Sequence, residues 1–166
     1  MRFKGVALVT SAVVLGACGG SKDAAPAESS TPAAATTAAA PAAAGAALPI
    51  TGKTWEVKMI GDGNSYKFEP ADLTIKAGDG IKFTVVSTPP HNVAFDVAQP
   101  ALTDAAVKAQ LDANMGPNKL GELSSPLLLN VGDTYTISFA GVKPGKYMFN
   151  CTPHLAMNMK GSVTVQ

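Results

Sequence analysis

Arginine, histidine and cysteine are nearly missing from this chain of 166 residues: one arginine, two histidines and two cysteines are all it holds. The only arginine is Arg2, so the body of the chain has no guanidinium to grip phosphates or base edges in bidentate fashion. With a formal net charge of +1 there is no basic surplus either, which excludes nucleic acid as a partner. His91 and His154 are the only imidazoles, which rules out any site built on several histidines and leaves too few ligands for a structural zinc of four Cys or His. Cys18 and Cys151 cannot staple a small fold the way a disulfide framework does, so the folded part must be held by its own apolar core. The one long apolar run, residues 5–15, is too short to span a membrane.

The scarce residues are not scattered. Asn150-Cys151-Thr152-Pro153-His154-Leu155-Ala156-Met157-Asn158-Met159 packs a thiol, an imidazole and two thioethers into one stretch, and His91 follows Pro89-Pro90. The available donors are thus a thiolate, two imidazoles and a thioether. Thiolate and thioether favour copper, imidazole suits both its oxidation states, and Cys with two His and a weak axial Met is the set that serves electron transfer. Pro153 is expected to force an extended turn that brings His154 back towards Cys151. The enzymatic alternative is a Cys–His nucleophile pair, since the two lie three apart; it explains neither His91 nor Met159. Further coppers of an oxidase or reductase would need histidines the chain does not have, so the protein is expected not to be an enzyme. Copper carriage would use the same soft ligands with ready exchange and stands as the alternative function. Pro90, Pro153 and a strand-anchored Cys151 favour a rigid redox site over it.

Periodicity predicts mostly strand. Trp55, Val57 and Met59 alternate with polar neighbours, as do Leu73 and Ile75, then Ile81, Phe83 and Val85, with a turn at Ala77-Gly78-Asp79-Gly80. Val93 and Phe95 give a short strand. Thr103 as N-cap, Asp104 in the first turn and Leu102 stapled onto Val107 open the one helix, whose apolar face is Val107, Leu111 and Met115 and which ends near Gly116-Pro117. Residues 127–131 read as a buried strand. Tyr135, Ile137 and Phe139 form the next, with a type II turn at Val142-Lys143-Pro144-Gly145 making a hairpin with Tyr147, Phe149 and Cys151. Val163 and Val165 close the set. Seven or eight short strands and one short helix argue for an all-β sandwich.

Pro90-His91-Asn92-Val93-x-Phe95-Asp96, Cys151-x-Pro153-His154 and Met159-x-Gly161-x-Val163-Thr164-Val165, with weaker support from Phe68-x-Pro70-x-x-Leu73-x-Ile75, resemble the cupredoxins, plastocyanin and pseudoazurin above all. The resemblance covers roughly residues 55–166. It implies Greek-key strand order and one type 1 copper ion held at one end of the sandwich by His91, Cys151, His154 and Met159. It also implies that Asn92 ties the His91 loop to the Cys151 loop. Met157 competes for the axial role at amicyanin's spacing. Met159 is preferred because it preserves the Met-x-Gly-x-Val entry into the last strand. The implied function is a monomeric single-electron carrier working between redox proteins such as cytochromes or membrane electron-transfer complexes. Where plant plastocyanin has a Tyr before the Cys ligand and an acidic patch, this chain has Asn150 and Val97-Ala98-Gln99. Docking is therefore expected at the apolar end around His154, with Leu155, Pro89, Pro90 and Met157 on its rim.

Upstream, residues 1–17 have the layout of an export signal, with Arg2 and Lys4 before an apolar core. Leu15-Gly16-Ala17-Cys18 resembles a bacterial lipobox, a reading favoured over ordinary cleavage near Ala17; Cys18 would then be the lipidated first residue of the mature protein. A disulfide to Cys151 would consume both the anchor and the candidate metal donor. Residues 18–49 are Ala, Pro, Thr and Ser with little to bury, the composition of a tether. As a flexible coil it would average about 30 Å end to end and reach about 100 Å when straight. The expected organisation is a signal in 1–17, a lipidated tether in 18–49 and a copper domain in 50–166. The expected location is the extracytoplasmic, periplasmic side of a membrane, anchored through Cys18.

Overall fold

The structure is a computed structural model that describes residues 46–166; the expected signal, the Cys18 anchor and most of the expected tether lie outside the described residues. Among the described residues, eight strands and one α-helix follow in chain order: β1 (Thr54–Gly61), β2 (Tyr66–Glu69), β3 (Asp72–Ile75), β4 (Gly80–Val85), β5 (Ala94–Phe95), α1 (Ala105–Asn114), β6 (Thr134–Ser138), β7 (Gly145–Asn150) and β8 (Lys160–Val165). They form two four-stranded sheets, β2-β1-β4-β6 and β3-β8-β7-β5, each mixed: β1 runs parallel to β4 and β3 parallel to β8, the other pairs antiparallel. This is the β-sandwich expected.

The alternating side chains do what a half-buried strand requires. Val57 and Met59 on β1, Ile81, Phe83 and Val85 on β4, Ile137 on β6, and Tyr147 and Phe149 on β7 are all buried, and on β1 and β7 the residues between them are more exposed. The two sheets meet through aromatic rings: Phe149 of one packs edge to face on Phe68 and Phe83 of the other, with centroids 4.9 and 5.5 Å apart. Gly161 on β8 lets Phe149 lie there, since a Cβ at that position would stand 2.6 Å from its ring.

Several local expectations are corrected. Asp104, not Thr103, caps α1: its carboxylate accepts from the Ala106 N–H at 2.9 Å, while the Thr103 hydroxyl bonds back to Pro100 and closes a 3₁₀ turn. Residues 127–131 form no strand. Only Leu128 is buried, paired to His91 as an isolated bridge, while Leu127, Leu129 and Val131 face outward. An apolar run cannot be buried on both faces where only one bridge residue has a neighbour to pair with. β6 and β7 make no hairpin, because they belong to different sheets. The left-handed glycine of that connection is Gly141 (φ +72°), with Gly145 already in β7. Ala46 and Leu48, tether by composition, are tied to α1: Gln110 Nε2 donates to the Ala46 carbonyl (3.0 Å) and the Leu48 N–H donates to Asn114 Oδ1 (2.9 Å).

Candidate metal centre

The donors come from three places at one end of the sandwich. His91 follows β4 in the loop leading to β5, and its N–H and C=O exchange hydrogen bonds with Leu128 (3.0 and 2.8 Å). Cys151 directly follows β7 and continues the buried face of Tyr147 and Phe149. His154 sits at a kink (φ −114°, ψ 20°) in a 3₁₀ segment, Thr152–Met157, so Pro153 opens a helical turn rather than the extended one expected. Proline at the first helical positions forfeits no hydrogen bond, which is why it fits there.

Cys151 Sγ lies 3.4 Å from His154 Nδ1 and 3.7 Å from His91 Nδ1, and the three donor atoms all fall within 4.8 Å of one another. His91 Nε2 is 2.9 Å from the Ser87 carbonyl. A carbonyl can only accept, so that nitrogen carries the proton and Nδ1 keeps its lone pair for the centre. Met159 is fully buried beside them: its N–H donates to the His154 carbonyl (3.2 Å) and its carbonyl accepts from the Cys151 N–H (3.1 Å). Met157 is 47 % exposed, outside the cluster. Asn92 joins the loops. Its Oδ1 accepts the Thr152 N–H at 2.7 Å, its Nδ2 reaches the Ser124 and Thr152 hydroxyls at 3.3 and 3.2 Å, and its own N–H points at Cys151 Sγ at 3.5 Å.

Burial sets the charge states. It pulls both imidazoles below the usual histidine pKa, His154 further lowered by the neighbouring His91, so at neutral pH both rings are uncharged and able to donate. It pushes the Cys151 thiol up, against the N–H groups of Asn92 and His154 that favour thiolate. A thiolate here therefore calls for a positive ion within the cluster. One thiolate, two imidazoles that turn their Nδ1 atoms towards it and a buried thioether fit copper in both softness and number.

Sequence reading missed Tyr66. Its ring stacks on His154 with centroids 3.8 Å apart and planes 15° from parallel. The available signal was its place two residues before the core Phe68, on the same face of a strand. Ser87 and Thr152, which hold His91 and Asn92, were missed as well; nothing in their local sequence marks a hydroxyl or carbonyl as a positioning partner.

Comparison with known proteins agrees with this geometry. The family described as copper binding proteins, plastocyanin/azurin family, matches residues 55–166. A plastocyanin of Nostoc punctiforme is 37 % identical over 115 residues, 69 % of this chain and 75 % of that protein. A plastocyanin of the fern Dryopteris crassirhizoma is 37 % identical over 112 residues, 67 % of this chain and 99 % of its own. The solved oxidized form of plastocyanin from that fern superposes with a TM-score of 0.51 at 31 % identity, covering 67 % of this chain and 99 % of that one. With a donor cluster suited to a type 1 copper ion at the end of a two-sheet sandwich, the chain belongs to the plastocyanin/azurin family of copper binding proteins, as a plastocyanin-like cupredoxin that carries electrons.

Proposed function

We propose that His91, Cys151, His154 and Met159 hold one type 1 copper ion, with Asn92 fixing the two loops that carry them. On this reading the protein is a membrane-tethered shuttle of single electrons between partners of a respiratory or photosynthetic chain. The observation that carries the metal assignment is the convergence of two Nδ1 atoms and one Sγ within 4.8 Å in a buried place. Copper held there would supply a one-electron Cu(I)/Cu(II) couple. The chain's own residues supply the rest. Ser87 holds the His91 ring, Asn92 crosslinks the loops, and burial keeps water from the donors, so little needs to move when the charge changes.

Docking is assigned to the apolar end around His154, where Leu155, Met157 and Pro90 are exposed. Such a patch suits brief contacts with cytochromes or membrane electron-transfer complexes. The lipobox-like Leu15-Gly16-Ala17-Cys18 supports an extracytoplasmic, lipid-anchored carrier. A carrier so held meets membrane partners at raised effective concentration without tight binding.

The test is the visible and paramagnetic-resonance spectrum of the copper-loaded protein beside Cys151→Ala. An intense thiolate-to-copper band, lost on reduction and absent in Cys151→Ala, is the expected result. Pale, readily lost copper in the wild type would overturn it in favour of copper carriage.

A further inference from the structure

The β1/β2 hairpin reaches the two imidazoles by two separate routes. Tyr66, the first residue of β2, covers the face of His154. Gly61, the last residue of β1 and the cross-strand partner of Tyr66, anchors the other route. Its carbonyl accepts the hydroxyls of Ser87 (2.6 Å) and Thr88 (2.7 Å), and its N–H donates to Ser87 Oγ (3.0 Å). Ser87 in turn offers its carbonyl to His91 Nε2. Gly61 is where the routes meet: a Cβ there would stand 2.6 and 2.7 Å from Tyr66 ring carbons and 2.9 Å from Thr88 Cβ. Only a residue without a side chain leaves both arms in place.

We propose that this hairpin end is the positioning element for both imidazoles, with Tyr66 a positioning residue that holds His154 by stacking and Gly61 the joint between the two arms. The inference rests on the reading of the donors as a copper site. His154 needs such a support more than the other donors do. Cys151 is carried on the buried face of β7, and His91 is paired with Leu128, whereas His154 lies at a kink in a short 3₁₀ segment. His154 is only 6 % exposed, with the Tyr66 ring stacked on it. Holding a donor ring in its bound orientation before the metal arrives removes an ordering cost from binding and slows release.

The experiment compares wild type with Tyr66→Phe, Tyr66→Leu and Gly61→Ala, each first checked for folding by the emission of the single tryptophan, Trp55. In metal-free protein, nitrogen-15 NMR of the imidazoles reports whether the His154 ring keeps one orientation. In copper-loaded protein, the rate at which a strong chelator strips the metal reports its hold. Tyr66→Phe is expected to behave as wild type. Tyr66→Leu and Gly61→Ala are expected to show an averaging His154 ring and copper loss about two- to tenfold faster, the range an aromatic pair supports. A folded Tyr66→Leu with unchanged ring signals and unchanged loss would overturn the proposal. Should Gly61→Ala not fold, Tyr66→Leu decides. Failure of the wild type to hold copper would instead sink the copper reading, and the metal-free spectra would still decide the positioning role.

Discussion

Asn92 shows how one side chain can serve a centre it does not bind. Fully buried, it satisfies the Thr152 N–H and two hydroxyls on segments distant in sequence, while its backbone N–H faces the Cys151 sulfur. Replacing it by Ala removes the acceptor of the Thr152 N–H and the two bonds to hydroxyls, and empties a fully buried side-chain site between the loops. That costs about 2 kcal/mol and is expected to lower the Tm by about 10 °C, read by calorimetry of the metal-free protein. The Asn92 N–H bond to sulfur survives that change because it is backbone. Thus the copper band of Asn92→Ala should keep its position while the bound metal is lost faster. An unchanged Tm would mean that the loops are held together by other contacts. The role of Asn92 was legible in the motif Pro90-His91-Asn92, whereas that of Tyr66 was not, because stacking depends on where β2 lies against a loop far along the chain.

At the scale of elements, the turn between β3 and β4 is organised by Asp79. Its carboxylate accepts the Trp55 indole N–H (2.9 Å), the Lys76 N–H (3.0 Å) and the Lys53 N–H (2.8 Å), fastening the start of β1 to that turn. These donors, the indole first, hold its pKa below the ordinary carboxylate value. A depressed folded-state pKa contributes stability that is fully present above the unfolded pKa, about 3.9, and is lost as pH falls through the folded one. Asp79→Asn should therefore be destabilised by about 2 kcal/mol at pH 7, and urea unfolding followed by Trp55 emission should show the gap from wild type closing below about pH 4. A gap of the same size at pH 3 would show that packing, not the charge, holds the turn. The helix is the other instructive element. Its apolar face was readable from Val107, Leu111 and Met115, but its cap fell one residue later. Asp104 reaches the first-turn N–H groups while the Thr103 hydroxyl is already spent on Pro100.

Across the folded body, the chain enters at the end of the sandwich away from the donors. Ala46 and Leu48 are fastened to α1, and the N–H groups of Thr51 and Gly52 to the Gly78 carbonyl, beside the start of β1. Tyr66, Ser87 and the imidazoles lie at the far end of β1, about 25 Å on for a strand of that length. The lipid anchor proposed at Cys18 is tested by removing its thiol. Cys18→Ser is expected to move the protein from the membrane to the soluble fraction on ultracentrifugation. Retention on membranes would remove the lipid anchor from the proposed function.

The sequence by itself determined the chemistry and the class of fold. The scarcity of His and Cys left one thiolate and two imidazoles, with Met157 and Met159 competing for the fourth place, and period-two alternation marked most strands, since both are local properties of composition and spacing. Tertiary structure decided what depends on partners distant in the chain. It left Leu127, Leu129 and Val131 exposed although they read as core, and it sent β6 and β7 to different sheets across a turn that reads as a hairpin. It also buried Met159 and exposed Met157, and set Tyr66 on His154. Burial and stacking are properties of pairs, and no single stretch of sequence carries both members.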